Sequence, residues 1–167
     1  DQSLVTGPCW TKRRYEEIVA RLLPKLGAAN NPRFQKLIHL RNALRGSLEN
    51  LPETAELIGL ESAYGGHLED LGAHTERVAD GLRRLREFIE MEATDKILVE
   101  IAAYLHDIGK GPKARWAQTG GKYRDDRDHP VGALPMVERI LTDEVGEMHR
   151  RSARVICKLV CYHDLIG

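Results

Sequence analysis

The chain has 167 residues, enough for one domain, and its 42% hydrophobic and 30% charged content is ordinary for a globular protein. Its 25 Lys and Arg balance its 25 Asp and Glu, so global charge gives no case for a nucleic-acid binder and any attraction for phosphates must be local. No apolar run reaches about 18 residues, so no helical span of a bilayer is expected. Cys9, Cys157 and Cys161 are too few and uneven for a disulfide framework, which points to a reducing, cytoplasmic compartment. Cys157 and Cys161 read as free thiols in a helix, because their spacing lacks the C-x-x-C knuckle of structural zinc sites.

Strand signals are nearly absent and helical periodicity recurs, so the fold class is all-α. A first helix is expected from near Thr11, with Tyr15, Ile18, Val19, Leu22 and Leu23 inward and Pro24 and Gly27 closing it. A second follows Asn31-Pro32, cap and first position, and carries Phe34, Leu37, Ile38, Leu40 and Leu44. Leu57, Ile58 and Leu60 suggest a short helix that Gly65-Gly66 breaks. A long pattern then runs from Leu68 to Ile89. The clearest helix spans Thr94 to Ile108, capped by Thr94 and closed by Gly109, Gly111 and Pro112. Residues 111–128 lack periodicity and read as a long loop, a feature that is often functional. A helix should begin at Pro130, kinked by Pro135, and a last one should span 148–162 with Ile156, Leu159 and Val160 inward.

Four of the seven histidines sit where these helices turn inward. His74 shares a face with Val78. His106 ends the most apolar helix and is followed by Asp107. His129 stands at a helix start, and His163 follows the stripe of Ile156 and Val160. A lone histidine on an apolar face is ordinarily a satisfied core residue. Four buried imidazoles together cost several kcal/mol unless each finds a partner, and a shared metal ion supplies one. Adjacent His and Asp side chains on a helix diverge by about 100°, so His106 and Asp107 can meet one ion only at a helix end, which Gly109 marks.

Taken in order, His74-Thr75-Glu76-Arg77-Val78-Ala79, Leu105-His106-Asp107-Ile108-Gly109-Lys110, His129-Pro130-Val131-Gly132 and Tyr162-His163-Asp164 resemble the HD superfamily of metal-dependent phosphohydrolases. The resemblance covers roughly residues 68–167. It implies an HD-domain helical bundle over 67–167, preceded by an N-terminal helical extension over 1–66. It also implies one or two divalent transition-metal ions (Mn, Fe, Ni, Co or Zn), held by His74, His106 and Asp107. His129 and His163 resemble the added ligands of the binuclear branch. The final carboxylate ligand is Asp164 or a residue beyond Gly167. Asp107 doubles as orienter of the attacking water, and Lys110 contacts substrate phosphate. Lys113 and Arg115 are candidate rim residues for a phosphate, and Trp116 and Tyr123 candidate stacking partners for a base. The Gly-Tyr-Pro signature of the cyclic-dinucleotide branch is not visible after His163.

The activity so implied is hydrolysis of a nucleotide phosphomonoester or phosphodiester by metal-activated water. The alternatives are a single-strand nuclease domain, which neutral charge disfavours, and a non-catalytic nucleotide-sensing module, which intact ligands disfavour. The expected partner is a small phosphorylated nucleotide, with no membrane. The chain starts without an initiator Met and stops just after His163-Asp164, so flanking domains outside this segment are expected.

Overall fold

The computed structural model describes residues 34–64, 69–124, 129–146 and 154–160. The expected first helix and the Asn31-Pro32 cap lie outside the described residues. Among those described there is no strand, only an isolated parallel pairing of Ser62 with Tyr123. The elements are α1 (Phe34–Gly46), α2 (Pro52–Ala55), α3 (Leu71–Arg84), α4 (Arg86–Ile89), α5 (Ala93–Leu105), α6 (His129–Ile140) and a last helix, α7, over 154–160. Short 3-10 turns occupy Leu48–Asn50, Ile108–Lys110 and Lys113–Thr119, and a wider turn at Leu141–Val145 extends α6.

Local chemistry explains where these elements depart from the sequence pattern. The short helix expected around Leu57 lies earlier, at Pro52–Ala55, because Pro52 favours a first helical turn. The long pattern from Leu68 to Ile89 is two helices. Asp70 caps α3, its Oδ1 accepting from the Ala73 amide at 2.7 Å, and Leu85 ends it in extended backbone. Leu85 and Ile89 are 52% and 56% exposed; only Phe88 of α4 is buried, so their periodicity promised a packing face that is not used. The cap of α5 is Glu92 rather than Thr94, and α5 stops at Leu105 rather than Ile108. The supposed loop 111–128 contains the turn Lys113–Thr119 and the Tyr123 pairing, since backbone hydrogen bonds and not side-chain periodicity hold it. Pro135 lies inside α6, and Ile156, Cys157 and Val160 of α7 are buried, with Leu159 packed beside them.

One apolar cluster joins α1, α3, α5, α6 and α7, from Leu37 to Val160. Residues 37–60 share this core, and the expected boundary at 66/67 falls in the segment 65–68, outside the described residues. α5 is its centre, with α1 and α3 packed on it. A charged clamp crosses the same three helices. Glu100 of α5 is fully buried, accepts from Nε and Nη2 of Arg45 on α1, and accepts from Arg83 of α3 at 3.0 Å. Arg83 also donates to the Tyr104 hydroxyl at 3.0 Å and to Asp80 at 2.6 Å. A buried carboxylate costs several kcal/mol unless met in this way. Glu100→Ala leaves both arginines without that partner and is expected to lower stability by about 3 kcal/mol, read from urea unfolding of the metal-free chain.

Candidate metal centre

The centre forms where α5 stops. His106 keeps helical backbone, while Asp107 turns out at φ −110° and ψ 8°, a sparsely populated region common at active sites. That turn cancels the divergence of neighbouring helical side chains, and His106 Nε2 comes within 3.0 Å of Asp107 Oδ2. His74, in the first turn of α3, brings its Nε2 to 3.5 Å from the same oxygen. His129, at the start of α6, brings its Nε2 to 3.3 Å from Oδ1. Lys110 Nζ lies 3.4 Å from Oδ1. Asp107 is 3% exposed, so three imidazoles and an ammonium surround a carboxylate that water barely reaches.

The His106 ring is held from behind. Its Nδ1–H donates to the Ala103 carbonyl at 2.6 Å, since a carbonyl can only accept. A neutral His106 therefore turns the Nε2 lone pair onto an anionic oxygen. That arrangement needs a positive centre between the two atoms, either a proton or a metal cation. With a proton there, burial is the largest influence and opposes the charge on His106, but the hydrogen bond and charge of Asp107 together with the Ala103 carbonyl raise its pKa overall. Burial likewise opposes ionisation of Asp107, but hydrogen bonds with His106 and His129 hold it well below the usual carboxylate range. His74 shifts the other way: burial, against the pull of Asp107, lowers its pKa and keeps it neutral, the form that binds metal.

The donor set fits an ion. The ligand atoms of His74, His106 and Asp107 lie within 4.8 Å of one another. Bonds of about 2.0–2.2 Å to a common ion place donors at most about 4 Å apart, so shifts of well under 1 Å close the set. Nitrogen and carboxylate oxygen together suit a divalent transition metal.

Gly109 lets α6 approach. A Cβ at that position would stand 1.9 Å from the His129 carbonyl oxygen and 3.0 Å from the Ala133 amide. Its backbone is not in the left-handed region, so glycine is required here by space and not by φ. The turn Lys113–Thr119 buttresses the same piece of chain. Arg115 donates to the Gly109 carbonyl and the Trp116 indole donates to the Lys110 carbonyl, both at 2.6 Å. The Arg115 guanidinium covers one face of the Trp116 ring at 4.6 Å. The Tyr123 ring lies 5.2 Å from Lys110 Nζ. Lys113 is exposed, its amide donating to Glu56.

Of the residues expected from the sequence, His74, His106, Asp107, His129 and Lys110 come together. His163 and Asp164 lie outside the described residues. Glu69, whose carboxylate is 3.4 Å from His74 Nδ1, was not anticipated, because an acidic residue five positions before the histidine carries no helical or motif signal. Arg77 holds Glu69 ionised through its side-chain hydrogen bonds.

A model of the HD domain matches residues 71–165, more than half of the chain. The chain belongs to the HD domain family. Comparison with curated proteins and with solved structures gives no match. HD domains bind divalent metals and are typical of metal-dependent hydrolases, which agrees with the cluster His74, His106 and Asp107. The HD match also spans His129, Lys110, His163 and Asp164. Gly109→Ala in this HD domain forces α6 away from the doublet. The expected result is a loss of about 1–3 kcal/mol in chemical unfolding, together with weaker metal retention after dialysis.

Proposed function

We propose that this HD domain is a phosphohydrolase that cleaves a nucleotide phosphomonoester or phosphodiester with metal-activated water. The observation that carries the proposal is the convergence of the Nε2 atoms of His74, His106 and His129 on the buried Asp107 carboxylate, at 3.5, 3.0 and 3.3 Å. Three imidazoles gathered on one buried carboxylate, within an HD domain, form a donor set suited to a cation. Divalent ions in such a site supply Lewis acidity, which brings the pKa of water toward neutrality and draws charge from phosphoryl oxygens.

The chain's own residues divide the remaining work. His74, His106 and Asp107 are the first ligand set. Asp107 presents Oδ2 to two imidazoles and Oδ1 to a third, His129, which supports a second ion completed by His163 and by Asp164 or a later carboxylate. Asp107, held ionised, orients the attacking water by accepting its hydrogen bond. Lys110 stays beside the centre between Asp107 and the Tyr123 ring, where its ammonium can meet developing negative charge on the substrate. Lys113 and Arg115 lie on the same loop and are proposed to contact substrate phosphate, although the Arg115 side chain also braces Gly109. The buried, free Cys157 agrees with a cytoplasmic setting.

The test loads the purified chain with Mn, Fe, Co, Ni or Zn and screens phosphomonoesters, cyclic nucleotides, dinucleotides and single-stranded DNA. Hydrolysis of a nucleotide phosphoester is expected only with metal. His106→Ala and Asp107→Ala should each release metal and cut turnover by at least about a hundredfold, whereas Lys110→Ala should cut turnover comparably and keep the metal. Metal content and turnover that survive both ligand substitutions rule the proposal out. For the second ion, His163→Ala should lower bound metal from two equivalents to one; two retained equivalents refute the binuclear assignment.

A further inference from the structure

A carboxylate that meets the cluster from outside the ligand set is Glu69, on the lead-in to α3. Its Oε1 lies 3.4 Å from His74 Nδ1, the ring nitrogen turned away from Asp107. Arg77, one helical turn after His74, clamps Glu69 through Nε at 2.9 Å and Nη2 at 2.7 Å from Oε1. Arg77 Nη2 also lies 3.1 Å from His74 Nδ1. One ring nitrogen thus has both a carboxylate acceptor and a guanidinium donor within reach.

Neutral imidazole carries one proton, so the two neighbours suit two tautomers. With the proton on Nε2, His74 donates to Asp107, and Nδ1 accepts from Arg77. With the proton on Nδ1, His74 donates to Glu69, and the Nε2 lone pair is open toward Asp107. Only the second tautomer can ligate through Nε2. A carboxylate behind a ligating imidazole fixes its tautomer and ring orientation and raises its basicity. Glu69 is well placed for this, because its other contacts here are with Arg77 and hold it still.

We propose that Glu69 is a positioning residue for the metal centre: clamped by Arg77, it accepts the Nδ1 hydrogen bond of His74 and so commits Nε2 to the ion. The inference rests on His74 being a ligand. It adds a requirement that the ligand set alone does not carry, namely that metal affinity depends on an acceptor at position 69. Arg77 acts through Glu69 and does not touch the ion. Both side chains of the pair are substantially exposed, at 65% for Arg77 and 30% for Glu69, so the pair itself contributes little to fold stability. Affinity and stability should therefore separate.

The experiment measures Zn²⁺ affinity of the full chain by competition with a chromophoric chelator, beside the melting temperature of the metal-free protein. Glu69→Ala should weaken affinity about ten- to a hundredfold and leave the metal-free melting temperature unchanged. Glu69→Gln keeps an oxygen acceptor and should recover most of the affinity. Arg77→Leu should weaken binding alone, yet add nothing in the Glu69→Ala background. In the Zn²⁺-loaded protein, long-range ¹H–¹⁵N spectra should show the His74 proton on Nδ1. Wild-type affinity in Glu69→Ala overturns the inference, as does the absence of rescue by Glu69→Gln or a fall in metal-free melting temperature that parallels the affinity. If the unsubstituted chain binds no Zn²⁺ or other divalent metal, the metal centre itself falls and this inference with it; tight binding by the wild type with an indifferent Glu69→Ala defeats this inference alone.

Discussion

A single carboxylate, that of Asp107, sets the terms for the surrounding structure. An ionised group with 3% exposure is sustained only by opposite charge or by donors, and here His106, His129 and Lys110 provide them, with His74 beside them. Those groups come from three stretches of chain that are far apart in sequence. α5 delivers His106 and Asp107 together because its helix gives out between them. α3 delivers His74 in its first turn, and α6 delivers His129 at its start. Each of these side chains therefore sits at a helix end, where backbone direction changes and side chains from different helices can converge.

The same carboxylate explains the architecture of the turn that follows it. Ile108 enters the core, Gly109 clears the way for α6, and Lys110 returns its charge to Asp107. The carbonyls of Gly109 and Lys110 are taken by Arg115 and Trp116, so the turn is fixed from the solvent side as well. Part of what reads as a charged loop after the doublet, the turn Lys113–Thr119, is folded back on the chain that follows Asp107.

The all-α class and the gathering of His74, His106 and Asp107 were legible in the sequence, because they rest on signals that survive in one dimension. Apolar periodicity placed α1, α5 and α6, and the doublet followed by glycine implied a helix end at which His106 and Asp107 could meet. Other features depend on information the pattern lacks. Leu85 and Ile89 continue the apolar rhythm of α3 yet are exposed, and of α4 only Phe88 is buried. The turn Lys113–Thr119 is held by Thr119, Trp116 and backbone groups, none of which makes a period. Glu69 is brought to His74 only by the path of the chain before α3. Gly109 looks like a helix stop in the sequence, while its stronger reason is the carbonyl of a residue twenty positions later.

The clamp between Arg83 and Glu100 has a consequence for the centre although it lies away from it. α3 and α5 run in opposite directions, with His74 near the start of one beside His106 at the end of the other. Arg83 is nine residues from His74, about 13 Å along the helix, and Glu100 is six residues from His106, about 9 Å. Two helices packed through apolar side chains alone can slide, and a slip of one residue, about 1.5 Å, would exceed the roughly 0.5 Å within which a metal site must be held. A directional ion pair cannot slide without breaking. The Arg83–Glu100 contact therefore acts as a register pin, and the spacing of His74 and His106 inherits its tolerance.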